Sequence, residues 1–180
     1  RLYYKRFFDL AVLATAYPFP SFLGDMPVRL MTSSIRRRPP DILDCKLKSL
    51  NYLNNMLAKI QAIAAGMDDA VMLDPRGFVA EGTGMCIFII KKGVFISPKT
   101  DYTLDSITRA TLMELAEEMG NEVAVRDISP HDLYVADEAL LCGSGAEVIA
   151  VGEVDGRRIG SGEMGPLTRE IKEKYMELVR

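Results

Sequence analysis

The sequence contains no tryptophan, one histidine and only three cysteines, Cys45, Cys86 and Cys142. Three widely spaced cysteines build neither a disulfide framework nor a zinc motif, and they fit a reducing cytoplasm. The lone His131 follows Ser129-Pro130, a helix cap with proline at the first helical position, which marks it as a surface residue rather than a base. No metal site is expected. No apolar run reaches the length of a membrane span, and Pro18 and Pro20 interrupt the most apolar early segment, so no membrane partner is expected. Repeats, low-complexity segments and linkers are missing as well. With a net charge of −3, nothing points to nucleic acid or an anionic surface. The one basic run, Arg36-Arg37-Arg38, stands before Pro39-Pro40 and reads as solvated or structural charge in a loop.

What is present is a chain of 180 residues, 48% of them hydrophobic, enough for one domain with a sizeable core. Apolar runs predict strands over residues 9–17 and 28–35. Pro39-Pro40-Asp41 then breaks the chain ahead of a helix that Gly66 ends. Strands over 70–73 and 78–81 flank Asp74-Pro75-Arg76-Gly77, a hairpin turn that leaves Glu81 pointing outward at a strand end. A second hairpin joins 87–90 to 94–96 through Lys91-Lys92-Gly93. Ser106 reads as the N-cap of a helix to Met119, with Ile107, Leu112, Leu115, Ala116 and Met119 inward and Gly120 closing it. Val123 and Val125 alternate in a strand, strands follow over 139–142 and 148–154, and Asp155-Gly156 turns the chain back through 157–159. Gly165-Pro166 opens a terminal amphipathic helix expected to bury Leu167, Ile171, Tyr175 and Leu178. Because strand follows strand, the fold class is α+β with a largely antiparallel sheet.

The chemistry concentrates on Lys48-Ser49-Leu50-Asn51-Tyr52-Leu53-Asn54-Asn55. Leu50, Leu53, Met56, Leu57, Ile60, Ile63 and Ala64 recur at helical spacing, which predicts a rigid helix with that face inward and Lys48 at its rim. A lysine so placed can be partly desolvated, which readies its amine to bond a carbonyl carbon. An exposed lysine at a helix start is nevertheless the commoner occurrence. Lys46 is a rival by proximity.

This octapeptide is followed by Ala80-Glu81-Gly82-Thr83-Gly84, Ser106-Ile107-Thr108-Arg109 and Gly143-Ser144-Gly145-Ala146-Glu147. Together the four blocks, in this order and spacing, resemble the class IV pyridoxal-phosphate aminotransferases, and within them the branched-chain amino-acid aminotransferases. The likeness runs from about Ala14 to the C-terminus. It implies the large domain of the D-amino-acid aminotransferase-like fold, a mixed sheet curled into a distorted barrel with surrounding helices. It further implies pyridoxal 5'-phosphate as cofactor, amino-acid and 2-oxo-acid substrates, and a homo-oligomer built on a dimer. Lys48 matches the family's Schiff-base lysine and Glu81 the carboxylate that faces the pyridine nitrogen. Tyr52 matches a tyrosine near the phenolic oxygen, Ser106, Ile107 and Thr108 a helix start that binds phosphate, and Ser144 and Gly145 positions near the phosphate and the substrate carboxylate.

The reaction implied is transamination of leucine, isoleucine and valine with 2-oxoglutarate. A D-amino-acid aminotransferase or an aminodeoxychorismate lyase would use the same lysine and glutamate, and a non-catalytic fragment or binding module would retain the fold alone. The sequence departs from the family at Met85-Cys86, where Glu-Asn is usual, at Asp105-Ser106, where Pro-Gly is common, and at Ser144-Gly145, where Thr-Ala is common. The family's smaller N-terminal domain, which carries a phosphate-binding arginine, has no counterpart in these residues. The expectation is therefore a single cofactor-binding large domain over residues 1–180.

Overall fold

Pairing of successive apolar runs builds the centre of the protein. The computed structural model describes residues 26–179, and the strand expected over 9–17 lies outside them. In chain order the elements are β1 (Val28–Thr32), α1 (Pro40–Leu43), α2 (Leu53–Ala64), β2 (Asp69–Leu73), β3 (Val79–Gly82), β4 (Cys86–Lys91) and β5 (Val94–Ser97). They continue through α3 (Ile107–Glu118), β6 (Val123–Val125), α4 (Pro130–Tyr134), β7 (Glu138–Gly143), β8 (Glu147–Val154), β9 (Arg157–Arg158) and α5 (Pro166–Val179). The strands make one sheet in the order β3-β2-β1-β8-β7-β4-β5-β6, with β9 beside β8. Parallel pairing occurs where β1 meets β2 and β8 and where β5 meets β6, and the other pairings are antiparallel. The sheet curls into a half-barrel.

Both faces of the central strands are covered, so these strands read as continuous apolar runs rather than as alternation. On β4, Ile87 and Ile89 enter one core with Leu30, Val71, Leu141 and Ile149. Phe88 and Ile90 enter a second core with Phe95, Leu112, Leu140, Ile171 and Tyr175, beneath α3 and α5. Phe88 and Phe95 stack with ring centroids 4.4 Å apart. The turns match their residues. Asp74 accepts from the backbone of Arg76 and Phe78, and Gly77 takes φ +93° between β2 and β3. Ser129 and Asp132 form a reciprocal capping box on α4, and His131 is exposed.

Three expectations about helix faces are corrected. α2 starts at Leu53, five residues after Lys48, and Leu50 precedes it at φ +60°. Its supposed core stripe is outward: Leu53, Met56, Leu57, Ile60 and Ile63 are exposed, while Asn55, Ala58 and Ala62 are buried. The small side chains let the helix lie close on β2, where Ala58 and Ala62 pack with Ala70 and Met72. In α3, Leu112 and Ala116 are buried as expected, but Ile107 in the first turn stands 86% exposed. In α5, Thr168, Ile171 and Tyr175 form the buried stripe, and Leu178 lies in the exposed last turn.

Candidate active site

One cavity of about 470 Å³ opens between the ends of β3 and β4, the β7–β8 turn, the start of α3 and the segment leading into α2. That volume suits a small molecule. Its wall includes Lys48, Tyr52, Glu81, Ser106, Ile107, Thr108, Ser144 and Gly145, the eight residues singled out from the sequence, together with Lys46, Arg37 and Arg38. Four stretches distant in sequence thus share one wall.

Lys48 lies on an irregular segment rather than on a helix. Asp44 shapes the start of that segment, accepting from Leu47 N–H on its carbonyl at 3.1 Å and from Lys46 N–H on its carboxylate at 2.9 Å. Lys48 is exposed at the cavity mouth, not desolvated at a helix rim, and its Nζ donates to Tyr52 Oη at 3.4 Å. Tyr52 occupies the N-cap position of α2, which sets its ring beside the amine.

Glu81 corrects another expectation, since it points inward. It sits on β3 opposite Met72 and is buried. Its Oε1 lies 2.7 Å from Arg37 Nη2, and its Oε2 accepts from Leu104 N–H at 3.2 Å. Burial pushes its carboxyl up to about 7, and Arg37, the Leu104 N–H, Arg38 and Lys48 pull the other way. Arg37, part of the run read as solvated or structural charge, is buried and also donates to Asn55 Oδ1 at 2.8 Å.

Ser106 caps α3 by accepting from Arg109 N–H at 3.4 Å, as expected. The Ile107 and Thr108 N–H groups belong to the first turn, where helix geometry provides no internal acceptor, and with the helix dipole they favour an anion. In the lining of the same cavity, Ser144 and Gly145 form a tight turn closed by Ala146 N–H on Gly143 O at 3.1 Å. Cys86 and Cys142 pair across β4 and β7 in the same wall. A hydrogen bond with Cys142 holds the Cys86 thiol below its ordinary range, and the same contact together with burial pushes Cys142 up.

Sequence reasoning missed Arg37 and Asn55. A polar residue on the small-residue face of α2 was the available signal for Asn55, whereas nothing separates Arg37 from its two arginine neighbours.

The donor set fits pyridoxal phosphate: an amine at the mouth, a buried carboxylate in the lining, and a helix start and a tight turn that line the same cavity. Residues 8–154 match the family described as amino-transferase class IV, and the chain belongs to it. Its relatives narrow the comparison. It is 41% identical over 173 residues to the branched-chain-amino-acid aminotransferase of Pseudomonas aeruginosa, covering 93% of this chain and 56% of that one. Its fold is similar to the branched-chain amino acid aminotransferase of Escherichia coli, with a TM-score of 0.87, 34% identity, and coverage of 90% and 55%. It is also similar to the holo form, with bound PLP, of the Thermobaculum terrenum enzyme, with a TM-score of 0.86, 40% identity, and coverage of 90% and 54%. The chain spans little more than half the length of these relatives. No helix among the described residues is long and apolar enough to cross a membrane.

Proposed function

We propose that this chain is the cofactor-binding part of a pyridoxal-phosphate-dependent aminotransferase that moves the amino group of leucine, isoleucine or valine to 2-oxoglutarate. The cofactor, when bound, supplies an aldehyde for the amino group and a ring that accepts electron density from the substrate α-carbon. Lys48 holds it covalently through Nζ and, once released, carries the proton to and from that carbon. Glu81 holds a proton at the ring nitrogen, which keeps the ring electron-poor. Tyr52 donates to the phenolic oxygen. The Ile107 and Thr108 N–H groups, with the Ser106 and Ser144 hydroxyls, receive the phosphate. Gly145 leaves room for the substrate carboxylate to approach backbone donors.

The observation that carries this reading is the convergence of Lys48, Glu81, the α3 start and the Ser144 turn on one cavity. Borohydride reduction of protein incubated with pyridoxal phosphate, followed by peptide mapping, is expected to place the pyridoxyl group on Lys48. Recovery on Lys46, or across surface lysines at random, refutes the assignment. We assign the chain to the cytoplasm, where its buried thiols Cys45, Cys86 and Cys142 stay reduced. We further assign it to a homo-oligomer based on a dimer, because the bare apolar stripe of α2 is the kind of surface another subunit covers. Analytical ultracentrifugation tests that assignment, and a monomer at micromolar concentration rejects it.

A further inference from the structure

We propose that Arg37 is a positioning residue for Glu81: it fixes the direction of the carboxylate and supplies its countercharge, and Asn55 anchors Arg37 from the helix behind the lysine segment. The proposal rests on the assignment of pyridoxal phosphate to the cavity. The three residues of the basic run have different surroundings, and the difference is informative. Arg36 is exposed and Arg38 half-buried, whereas Arg37 is 4% exposed. A buried guanidinium is costly unless its donors are matched.

Arg37 matches them on three sides. Nη2 meets Glu81 Oε1 at 2.7 Å, Nη1 donates to Asn55 Oδ1 at 2.8 Å, and Nε donates to Tyr102 O at 3.2 Å. Glu81 is then held at both oxygens, since Leu104 N–H reaches Oε2. Each oxygen retains a lone pair for a ring N–H. Asn55 is itself oriented by donating to Thr83 O at 2.8 Å, and Thr83 Oγ1 donates to Asp69 Oδ1 at 2.6 Å. Asp69 in turn lies 3.3 Å from Lys59 Nζ, so the chain of polar contacts ends on α2 where it began.

A side chain that only filled space would not need a planar fork with three separate acceptors. A carboxylate without that fork would turn within its pocket, and in a buried site it would take up a proton of its own. It would then be a poorer acceptor for the ring N–H. Lysine at position 37 restores the charge but not the fork, so it should restore the effect only in part.

The test compares wild type with Arg37→Lys, Arg37→Gln, Glu81→Gln and the double variant Arg37→Gln/Glu81→Gln, each checked for native circular dichroism. In the protein without cofactor, carbon-13 NMR of labelled glutamate carboxyls follows the titration of Glu81, identified by its loss in Glu81→Gln. Arg37→Gln is expected to raise the proton affinity of that carboxyl at least tenfold, and Arg37→Lys to raise it less. With pyridoxal phosphate added, the pH midpoint of the bound cofactor's absorbance band is expected to move in Arg37→Gln, but not when the same change is made in the Glu81→Gln background. If Arg37→Gln does not fold, Arg37→Lys carries the test, and an Glu81 titration unchanged from wild type refutes the proposal. A normal wild-type band with an unmoved Glu81 titration in Arg37→Gln overturns the role of Arg37 alone. Equal band shifts in both backgrounds overturn it too, because Arg37 would then act by another route. Absence of any band in wild type overturns the cofactor reading, and the role toward the ring falls with it.

Discussion

Glu81 makes the stability of the cofactor-free protein depend on pH in a direction opposite to that of an ordinary ion-paired carboxylate. Its carboxyl is pushed from 4.5 to about 7 in the folded state, chiefly by burial. The folded protein therefore binds one more proton than the unfolded chain between those values. The stabilisation from that proton is fully present below about pH 4.5 and is lost as the pH rises through about 7. At 1.36 kcal/mol per unit, a displacement of this size amounts to about 3 kcal/mol, of which roughly 2.5 kcal/mol falls between pH 5 and pH 8. In a protein of this length that corresponds to a melting-temperature difference on the order of 5–10 °C. The measurement is urea denaturation of wild type and Glu81→Gln, without cofactor, at both pH values. Glutamine leaves Arg37 without its countercharge, but that cost is the same at pH 5 and pH 8 and cancels from the comparison. Wild type relative to the variant should therefore be weaker at pH 8 than at pH 5 by roughly 2.5 kcal/mol. A difference that does not change with pH refutes the reasoning, and one of opposite sign shows that pairing with Arg37 outweighs burial.

The two faces of α2 should respond differently to substitution. Ala62→Leu, at a position with no exposed surface against β2, should cost about 1–3 kcal/mol, whereas Ile60→Ala on the bare stripe should stay within about 0.5 kcal/mol in dilute protein; urea midpoints decide between this and the reverse order. Iodoacetamide at neutral pH should modify Cys86 before Cys142, because only Cys86 has its thiol held low, and pyridoxal phosphate should slow that modification by covering the shared wall; mass spectrometry of timed samples reads the order. Gly160→Ala should destabilise by more than about 1 kcal/mol, since the residue has φ +53° and an added Cβ would collide with the Asp137 carbonyl oxygen; thermal melting checks it, and an unchanged midpoint counts against the described turn.

What could be read from the sequence was local. The Ser106 cap, the Asp74 to Gly77 turn, the Lys92-Gly93 hairpin and the Ser129-Pro130 start each rest on contacts within a few residues, and each stands where it was expected. The orientation of α2 was not legible. Periodicity marked the helix, but alanines occupy one side and larger apolar residues the other. Which side faces the sheet depends on how closely β2 can approach, and that is settled by Ala70 and Met72 at distant positions. The same limit applies to the helix start. Leu50 fits the periodic pattern, yet its positive φ belongs to a loop whose shape depends on Asp44 and on packing beyond it.

The candidate site shows the limit more sharply. Lys48, Glu81, the Ser106 helix start and the Ser144 turn could be named because four short blocks resemble one family, but their spacing along the chain does not bring them together. The sheet order does that. β7 pairs β4 and β8, which sets the Ser144 turn near Met85 and Cys86, and β3 leads directly into β4, which places Glu81 beside them. Arg37 lay beyond both kinds of reading. Its meaning comes from two partners, Glu81 and Asn55, 44 and 18 residues away, and from the exclusion of water around all three. A charge in a run of like charges looks solvated until the fold buries one of them, and the buried one must then be matched by other polar groups. In this protein the group that matches it is the same carboxylate that the proposed chemistry requires.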